Sequence, residues 1–486
     1  MQYITPIDMK VIDTNTASQG LPTICLMEIA GTKIKQLVDT YENINHVTIC
    51  TGNGGNAGDG YVTARHIIND TNKNVHIIQL KDPNTIKNQD TKQNWKLINE
   101  IEKTSSKLKI TKITDTTQLE KIETDLIIDT IFSTGIKGKI REPISQIIDN
   151  INQTNIPVIS IDVPTGINPL TGQIDHKAIK ADITVTIHKP KIGLKTAPPE
   201  YIGKIHNITI GIPKTSERYT NKGDLLRIHK PSLNSHKGEN GKISIIGGNK
   251  DYAGALFYAA KAAQKQAIDL TFIYTPEKTA QILKQQTPEN IITPLPGTVL
   301  SSKHYQQIEE KIEQTDAILI GSGSGLKNTT KELFDKILKN TTKPVLIDAD
   351  ALKLINKSYL NKNMVVTPHT KEYEILFNTK LPESHQDRIK NVQENAKKYN
   401  TTIVLKGSID IIATHNQIKE NKTGNPQMSK GGTGDMLAGI ITALISRKHS
   451  IYEASYLGTY LLGIAGENAL KKQGYNYTQQ DIINQL

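Results

Sequence analysis

The sequence predicts an α/β protein of two domains, each built on a largely parallel sheet. Three observations carry this expectation. Short β-branched apolar runs recur along the chain at intervals long enough to hold a helix between them. Those runs are nearly continuous rather than alternating, as in strands buried on both faces. The chain has 486 residues, and at about 100–200 residues per domain that is more than one core usually organises.

In chain order, the first series of strands is HVTIC (46–50), NVHIIQL (74–80), DLIIDTIF (125–132), PVISIDVP (157–164) and DITVTIH (182–188). A polar stretch with Pro and Gly, IPKTSERYTNKGD (212–224), is the natural linker. The second series follows as KISIIGG (242–248), DLTFIYTP (269–276), AILIGSGSG (317–325), PVLIDADAL (344–352), NMVVTPH (363–369) and TTIVLKG (401–407). These place one domain over residues 1–215 and another over 225–486. In the second series the strands end in Gly, Asp or His, and open α/β sheets bind ligands at the carboxyl ends of their strands. Each half is expected to carry its own site.

Composition narrows the function classes. The net charge is +11, but the lysines are scattered and aromatic residues make up only 5%, so no stacking platform for nucleic acid is present. A field of this sign suits phosphorylated small molecules instead. No window approaches the roughly 20 apolar residues of a membrane span. Two cysteines, Cys25 and Cys50, are too few for a disulfide framework and have no metal-like spacing. They are expected to be packing residues of a soluble, cytoplasmic protein.

Two motifs carry chemistry. In QMSKGGTGDMLAGIITALI (427–445), Gly431, Gly432, Thr433 and Gly434 open an apolar helix. Free N–H groups at a helix amino terminus, approached over small residues, make an anion hole. Asp435 lies in the first turn, where a carboxylate can take a proton from a hydroxyl that attacks phosphorus. An isolated Gly-Asp pair is more simply a helix cap. There is no Walker sequence, which excludes a P-loop enzyme. In the first half, TGNGGNAGDGY (51–61) follows a strand and leads toward VTARHIIND, where a helix is expected to begin. A standard NAD-dependent dehydrogenase would want an acidic residue at the end of the next strand, and NVHIIQLKD offers Asp82 only after Lys81.

The longer stretch NPQMSKGGTGDMLAG (425–439), with GGNKDYAGA, GSGSG, DADAL, TPHTKEYEIL and LKGSIDII in order before it, resembles the ribokinase-fold NAD(P)H-hydrate dehydratases. That resemblance implies a ribokinase-like α/β/α domain that uses ADP or ATP with magnesium. It places Lys406, Gly407, Ser408, Ile409, Asp410 and Gly434 at the nucleotide. Ala255, Gly323, Gly325 and His369 fall at the substrate, and Asp435 is the activating carboxylate. Ser322 and Ser324 stand where the family commonly has Pro and Leu.

CLMEIAG (25–31), TGNGGNAGDGY, DTIFSTGIKGKIREP (129–143) and SIDVPTGIN (160–168) resemble the YjeF amino-terminal domain of the NAD(P)H-hydrate epimerases, which implies a Rossmann-like parallel α/β sandwich. The resemblance implies a potassium ion on Asn56, Asp129 and Thr165. Substrate would lie along a loop of Gly55, Asn56, Ala57, Gly58 and Asp59, and along Ser133, Thr134, Gly135, Ile136, Lys137, Gly138 and Lys139. Asp162 is the candidate for proton transfer. Gly55 replaces the usual first asparagine and Ala57 the first glycine, while Ser133 replaces glycine and Thr165 replaces serine.

Together the resemblances imply a bifunctional enzyme that repairs hydrated NADH and NADPH (NADHX and NADPHX), in a homo-oligomer. Two other classes stay open on the sequence. One is a ribokinase-like small-molecule kinase, and the other gives the amino-terminal domain a noncatalytic binding role.

Overall fold

The computed structural model describes residues 2–132 and 138–486. It divides into two compact units, Met1–Ser216 and Glu217–Leu486. The polar stretch 212–224 is not an open linker. It forms a short helix, Lys214–Arg218, and leads into a 3₁₀ turn, Lys222–Arg227, closed by a capping box between Asn221 and Asp224.

Among the described residues, the first unit holds seven parallel strands: β1 (His46–Thr51), β2 (Asn74–Gln79), β3 (Leu108–Lys112), β4 (Leu126–Thr130), β5 (Val158–Ile161), β6 (Ile183–Ile187) and β7 (Lys204–Ile208). Their spatial order is β3-β2-β1-β4-β5-β6-β7. The order reverses between β1 and β4, which opens a crevice at their carboxyl ends. Alternate residues of the central strands feed two apolar clusters, Ile49, Ile77 and Ile128 on one face and Cys50, Ile78 and Ile127 on the other. The sheet is therefore covered on both sides. Cys50 is a packing residue, its thiol pushed upward in pKa by burial, while Cys25 is half-buried and also unpaired.

The helix after β1 begins at Gly55, not after the glycine-rich run, and spans Gly55–Asp70. Gly55 to Asp59 are thus the first turn of a helix and not a loop. Poor helix propensity is overridden here by packing. A Cβ on Gly58 would lie 2.5 Å from Met27 Sδ, and one on Gly60 would lie 2.6 Å from Thr130 Oγ1. These glycines let the helix seat tightly against its neighbours.

The second unit holds nine strands: β8 (Lys242–Ile246), β9 (Leu270–Pro276), β10 (Ile291–Leu295), β11 (Ala317–Ile320), β12 (Val345–Ile347), β13 (Met364–Val366), β14 (Thr402–Leu405), β15 (Asp410–Ala413) and β16 (Ile418–Asn421). The order is β10-β9-β8-β11-β12-β13-β14-β15-β16, with only β15 and β16 antiparallel to their neighbours. The reversal here lies between β8 and β11.

The helix Thr433–Ser446 is buried along its whole length from Met436 onward. It packs so closely on the helix Gly254–Gln264 that a Cβ on Gly439 would sit 2.0 Å from the carbonyl oxygen of Ala259. Gly439→Val is therefore expected to lower the unfolding free energy of this unit by about 1–3 kcal/mol, read from the urea midpoint. Gly431→Ala, with no atom within 4 Å of its Cβ position, serves as the control. Equal midpoints for the two variants would contradict this packing.

Candidate active sites

In the second unit, the strand ends at the reversal carry the glycines. Gly321, Gly323 and Gly325 after β11 have φ of 113°, 61° and 72°, a left-handed backbone that costs other residues energy. Such a loop can pass close to a ligand. A Cβ on Gly323 would lie 3.2 Å from that of Ala255, so the loop and the start of the helix Gly254–Gln264 share one wall. Asp350 Oδ2 accepts the Gly325 N–H at 2.9 Å and steadies the loop.

Charge gathers beside this loop. Asp348, at the end of β12 and 2% exposed, takes Lys406 Nζ at 2.9 Å and Thr367 Oγ1 at 2.7 Å on the same carboxylate oxygen. Glu372 lies 4.0 Å from the same ammonium. Burial works to lower the Lys406 pKa, but Asp348, Glu372 and Asp435 outweigh it and hold the group above its ordinary value.

Asp435 stands in the first turn of the helix Thr433–Ser446. Its carboxyl is pushed up to about 6, chiefly by burial and then by the like charge of Asp348, with the Ser322 hydroxyl and Lys406 pulling the other way. Such a group can hold or release a proton near neutral pH. Gly432 supplies the left-handed N-cap at φ 97°, and the space about Gly431 is open. A Cβ on Gly434 would lie 3.5 Å from Lys406 Nζ. The helix amino terminus and the lysine therefore face the same space. Thr433 plays a different part, its hydroxyl donating to the carbonyls of Met428 and Lys430 to close the preceding turn.

The remaining positions around this site have structural partners too. His369 is the N-cap of the helix Thr370–Phe377, its Nδ1 accepting the Lys371 N–H at 3.1 Å while half the ring stays exposed. Gly407, Ser408 and Ile409 form the turn between β14 and β15. Asp410 closes that turn, accepting from the Gly407 N–H at 3.0 Å and the Asn421 amide at 3.1 Å, and burial pushes it up to about 6.

In the first unit, Asn56, Asp129 and Thr165 are all buried at the carboxyl ends of β1, β4 and β5. Asp129 accepts from the Ser160 hydroxyl at 2.8 Å, from the Thr165 N–H at 2.8 Å and from the Thr165 hydroxyl at 2.7 Å. Burial nevertheless pushes its pKa upward. Asn56 donates its amide to the Ile161 carbonyl at 2.8 Å, which leaves its own carbonyl oxygen as a donor atom. An all-oxygen set with one desolvated carboxylate fits a hard monovalent cation.

Beside it opens a cavity of about 610 Å³, whose walls include Gly55, Asn56, Asp59, Asp162 and two residues that no motif marked, Asp13 and Lys191. Asp162 has φ 68°, unusual for a residue with a side chain, and its carboxylate is held by the Lys191 ammonium. Strain of this kind persists where the surroundings over-determine it. Asp59 is pushed far up in pKa by burial and then by the charges of Asp162 and Asp13. Gly138 and Lys139 are exposed. Ser133, Thr134, Gly135, Ile136 and Lys137 lie outside the described residues.

Comparison with known proteins bears on both units. A family model described as NAD(P)H-hydrate dehydratase matches residues 243–486, and one described as YjeF-related protein N-terminus matches residues 23–193. A protein of Methanothermobacter thermautotrophicus named bifunctional NAD(P)H-hydrate repair enzyme is 34% identical over 99% of this chain and 94% of its own length. Its namesake from Methanocaldococcus jannaschii is 36% identical over 100% and 93%. The chain belongs to the bifunctional NAD(P)H-hydrate repair enzymes.

Both candidate sites bring together residues that their motifs do not announce. Asp348 and Asp350 lie in DADAL, where a carboxylate after a strand is the available signal, and Glu372 lies in TPHTKEYEIL, in the first turn of the helix Thr370–Phe377. Asp13 and Lys191 carry no such signal. Asp435 provides a test of the electrostatics that needs no substrate. Its raised pKa means that wild type loses stability as pH rises from about 4 to about 6 and holds that loss above. Asp435→Asn is expected to melt higher than wild type at pH 8, with the gap closing by about pH 4. A gap independent of pH would refute the assignment.

Proposed function

We propose that the carboxy-terminal unit of this repair enzyme returns S-NADHX and S-NADPHX to the reduced dinucleotides at the expense of ADP or ATP, and that the amino-terminal unit interconverts the R and S epimers. The observation that carries this reading is the grouping of Asp435, Lys406 and Asp348 at a helix amino terminus beside the glycine loop Gly321–Gly325.

In the dehydration, Asp435 takes the proton of the C6 hydroxyl as its oxygen attacks the terminal phosphorus of the nucleotide. Lys406 and the N–H groups of Gly431, Gly432 and Gly434 steady the negative charge that develops on the phosphoryl oxygens. The C6 oxygen then leaves with phosphate, the ring nitrogen lone pair drives its departure, and a proton lost from C5 restores the double bond. The substrate groups lie against Ala255, Gly323, Gly325 and His369, and the nucleotide lies near the turn from Lys406 to Asp410. Magnesium accompanies the nucleotide phosphates.

In the epimerase cavity, Asn56, Asp129 and Thr165 would hold potassium, which when bound offsets the charge of the desolvated Asp129 and helps to seat the anionic substrate. The first helical turn from Gly55 receives the pyrophosphate at its free N–H groups. Asp162, fixed by Lys191, faces the C6 position and assists reversible loss and return of the hydroxyl. Because the dehydratase site is chiral, the epimerase lets the whole epimer mixture drain through it. The protein acts as a cytoplasmic homo-oligomer. Among the described residues, no helix is long and apolar enough to cross a membrane.

A mixture of both NADHX epimers with ADP and magnesium, followed at 340 nm, tests both halves. Wild type should restore the full absorbance. Asp435→Asn should lose at least about 100-fold in rate, and Asp162→Asn should stop after the S fraction, apart from spontaneous epimerisation. Absence of recovery with either ADP or ATP overturns the dehydratase reading.

A further inference from the structure

The epimerase cavity holds more titratable groups than the reading above employs. Asp13, from the helix Pro6–Ser18, faces the same space as Asp162, Asp59 and Lys191. Lys191 is committed to Asp162. Neither Asp13 nor Asp59 accepts a hydrogen bond on its carboxyl from any described residue, and Asp59 is only 8% exposed. Lys10 and Asp90 also line the cavity, but Lys191 is the ammonium that acts on Asp13, Asp59 and Asp162 alike, and ionising all three in a desolvated pocket carries a large cost. The ammonium is paired with Asp162. Burial first, and then the neighbouring Asp162, push Asp13 up to about 6 against the opposing pull of Lys191 and His188. An ion-paired carboxyl and a second, unpaired one with raised proton affinity, lining one cavity, are suited to act as a base and an acid.

We propose that Asp13 is a second catalytic residue of the epimerase, the acid that protonates the departing C6 oxygen, with Asp162 as the base that receives a proton when water returns. The proposal rests on the epimerase reading. In the forward step the Asp13 proton goes to the C6 oxygen, the C6–O bond breaks, water leaves, and the ring nitrogen lone pair forms the N1–C6 double bond of an iminium. Water then adds to the opposite face of C6, the π pair returns to nitrogen, and the surplus proton of that water goes to Asp162. Passing this proton back to Asp13 through Asp59, which both groups influence, resets the site. The reverse reaction exchanges the two roles, as interconversion of two epimers requires.

The test uses the full chain and R-NADHX with ADP and magnesium. Recovery at 340 nm then reports epimerisation followed by dehydration, and S-NADHX alone reports dehydration. Asp13→Asn should retain the wild-type rate on S-NADHX and lose at least 50-fold on R-NADHX. Wild-type kcat/KM on R-NADHX should decline as pH rises above about 6, where Asp13 gives up its proton. Asp13→Glu should keep partial activity with this alkaline limb displaced. If wild type itself turns over R-NADHX no faster than spontaneous epimerisation, the epimerase reading fails, and this proposal with it. If wild type is active and Asp13→Asn equals it, or if the alkaline limb of Asp13→Glu coincides with that of wild type, Asp13 is not the acid and the epimerase reading stands without it.

Discussion

Both sites depend on the same constraint, the desolvation of several carboxyl groups around a single lysine. Asp348, Glu372 and Asp435 surround Lys406 in one unit, and Asp13, Asp59 and Asp162 surround Lys191 in the other. One ammonium satisfies one carboxylate well. In each case the nearest carboxylate, Asp348 or Asp162, takes the ion pair. Asp435 in one unit, and Asp13 and Asp59 in the other, are left with raised proton affinity, which is how a carboxyl comes to act as an acid or base near neutrality. Replacing the polar set by apolar side chains would relieve the cost and would also remove the chemistry.

The sheets explain how this cost is sustained. In each unit the site lies where the strand order reverses, at β1 and β4 or at β8 and β11, so that loops diverge and leave a crevice without breaking the hydrogen-bond ladder. Strands buried on both faces hold the strand-end residues rigidly. Asp162 at φ 68° directly follows β5, and the Gly321–Gly325 loop directly follows β11. The chemistry is thus positioned by elements that are themselves ordinary apolar packing.

That division of labour also decides what the sequence reveals. The central strands are legible because burial on both faces demands continuous β-branched residues, and the helix Thr433–Ser446 is legible because its glycine entrance precedes an apolar run. Most of the strands that escape notice are edge strands or polar ones, while β15 (DIIA) is an apolar internal strand of only four residues. At the sheet margins β3 (LKITK) exposes Lys109 and Lys112 and β7 (KIHNI) exposes alternate residues, and β16 (IKEN) buries Lys419, Glu420 and Asn421 against partners far along the chain. The helix at Gly55 begins earlier than its glycines suggest, because their function is close packing against Met27 and Thr130. At the sites, Asp435, Asp162 and Asp129 stand inside recognisable motifs. Asp13 and Lys191 do not, since their roles come from tertiary placement, and an acidic residue on an amphipathic helix or a lysine beside a proline carries no local mark.

The charge of Asp348 helps to set the proton affinity of Asp435, the carboxylate proposed to activate the substrate hydroxyl. The most direct test is the pH dependence of kcat/KM for ADP-dependent dehydration of S-NADHX, compared between wild type and Asp348→Asn. Wild type should lose activity below about pH 6, and the variant, without the like charge and with Lys406 released toward Asp435, should carry that acid limb lower by about one pH unit. An acid limb that stays in place or moves upward would contradict this account of the site.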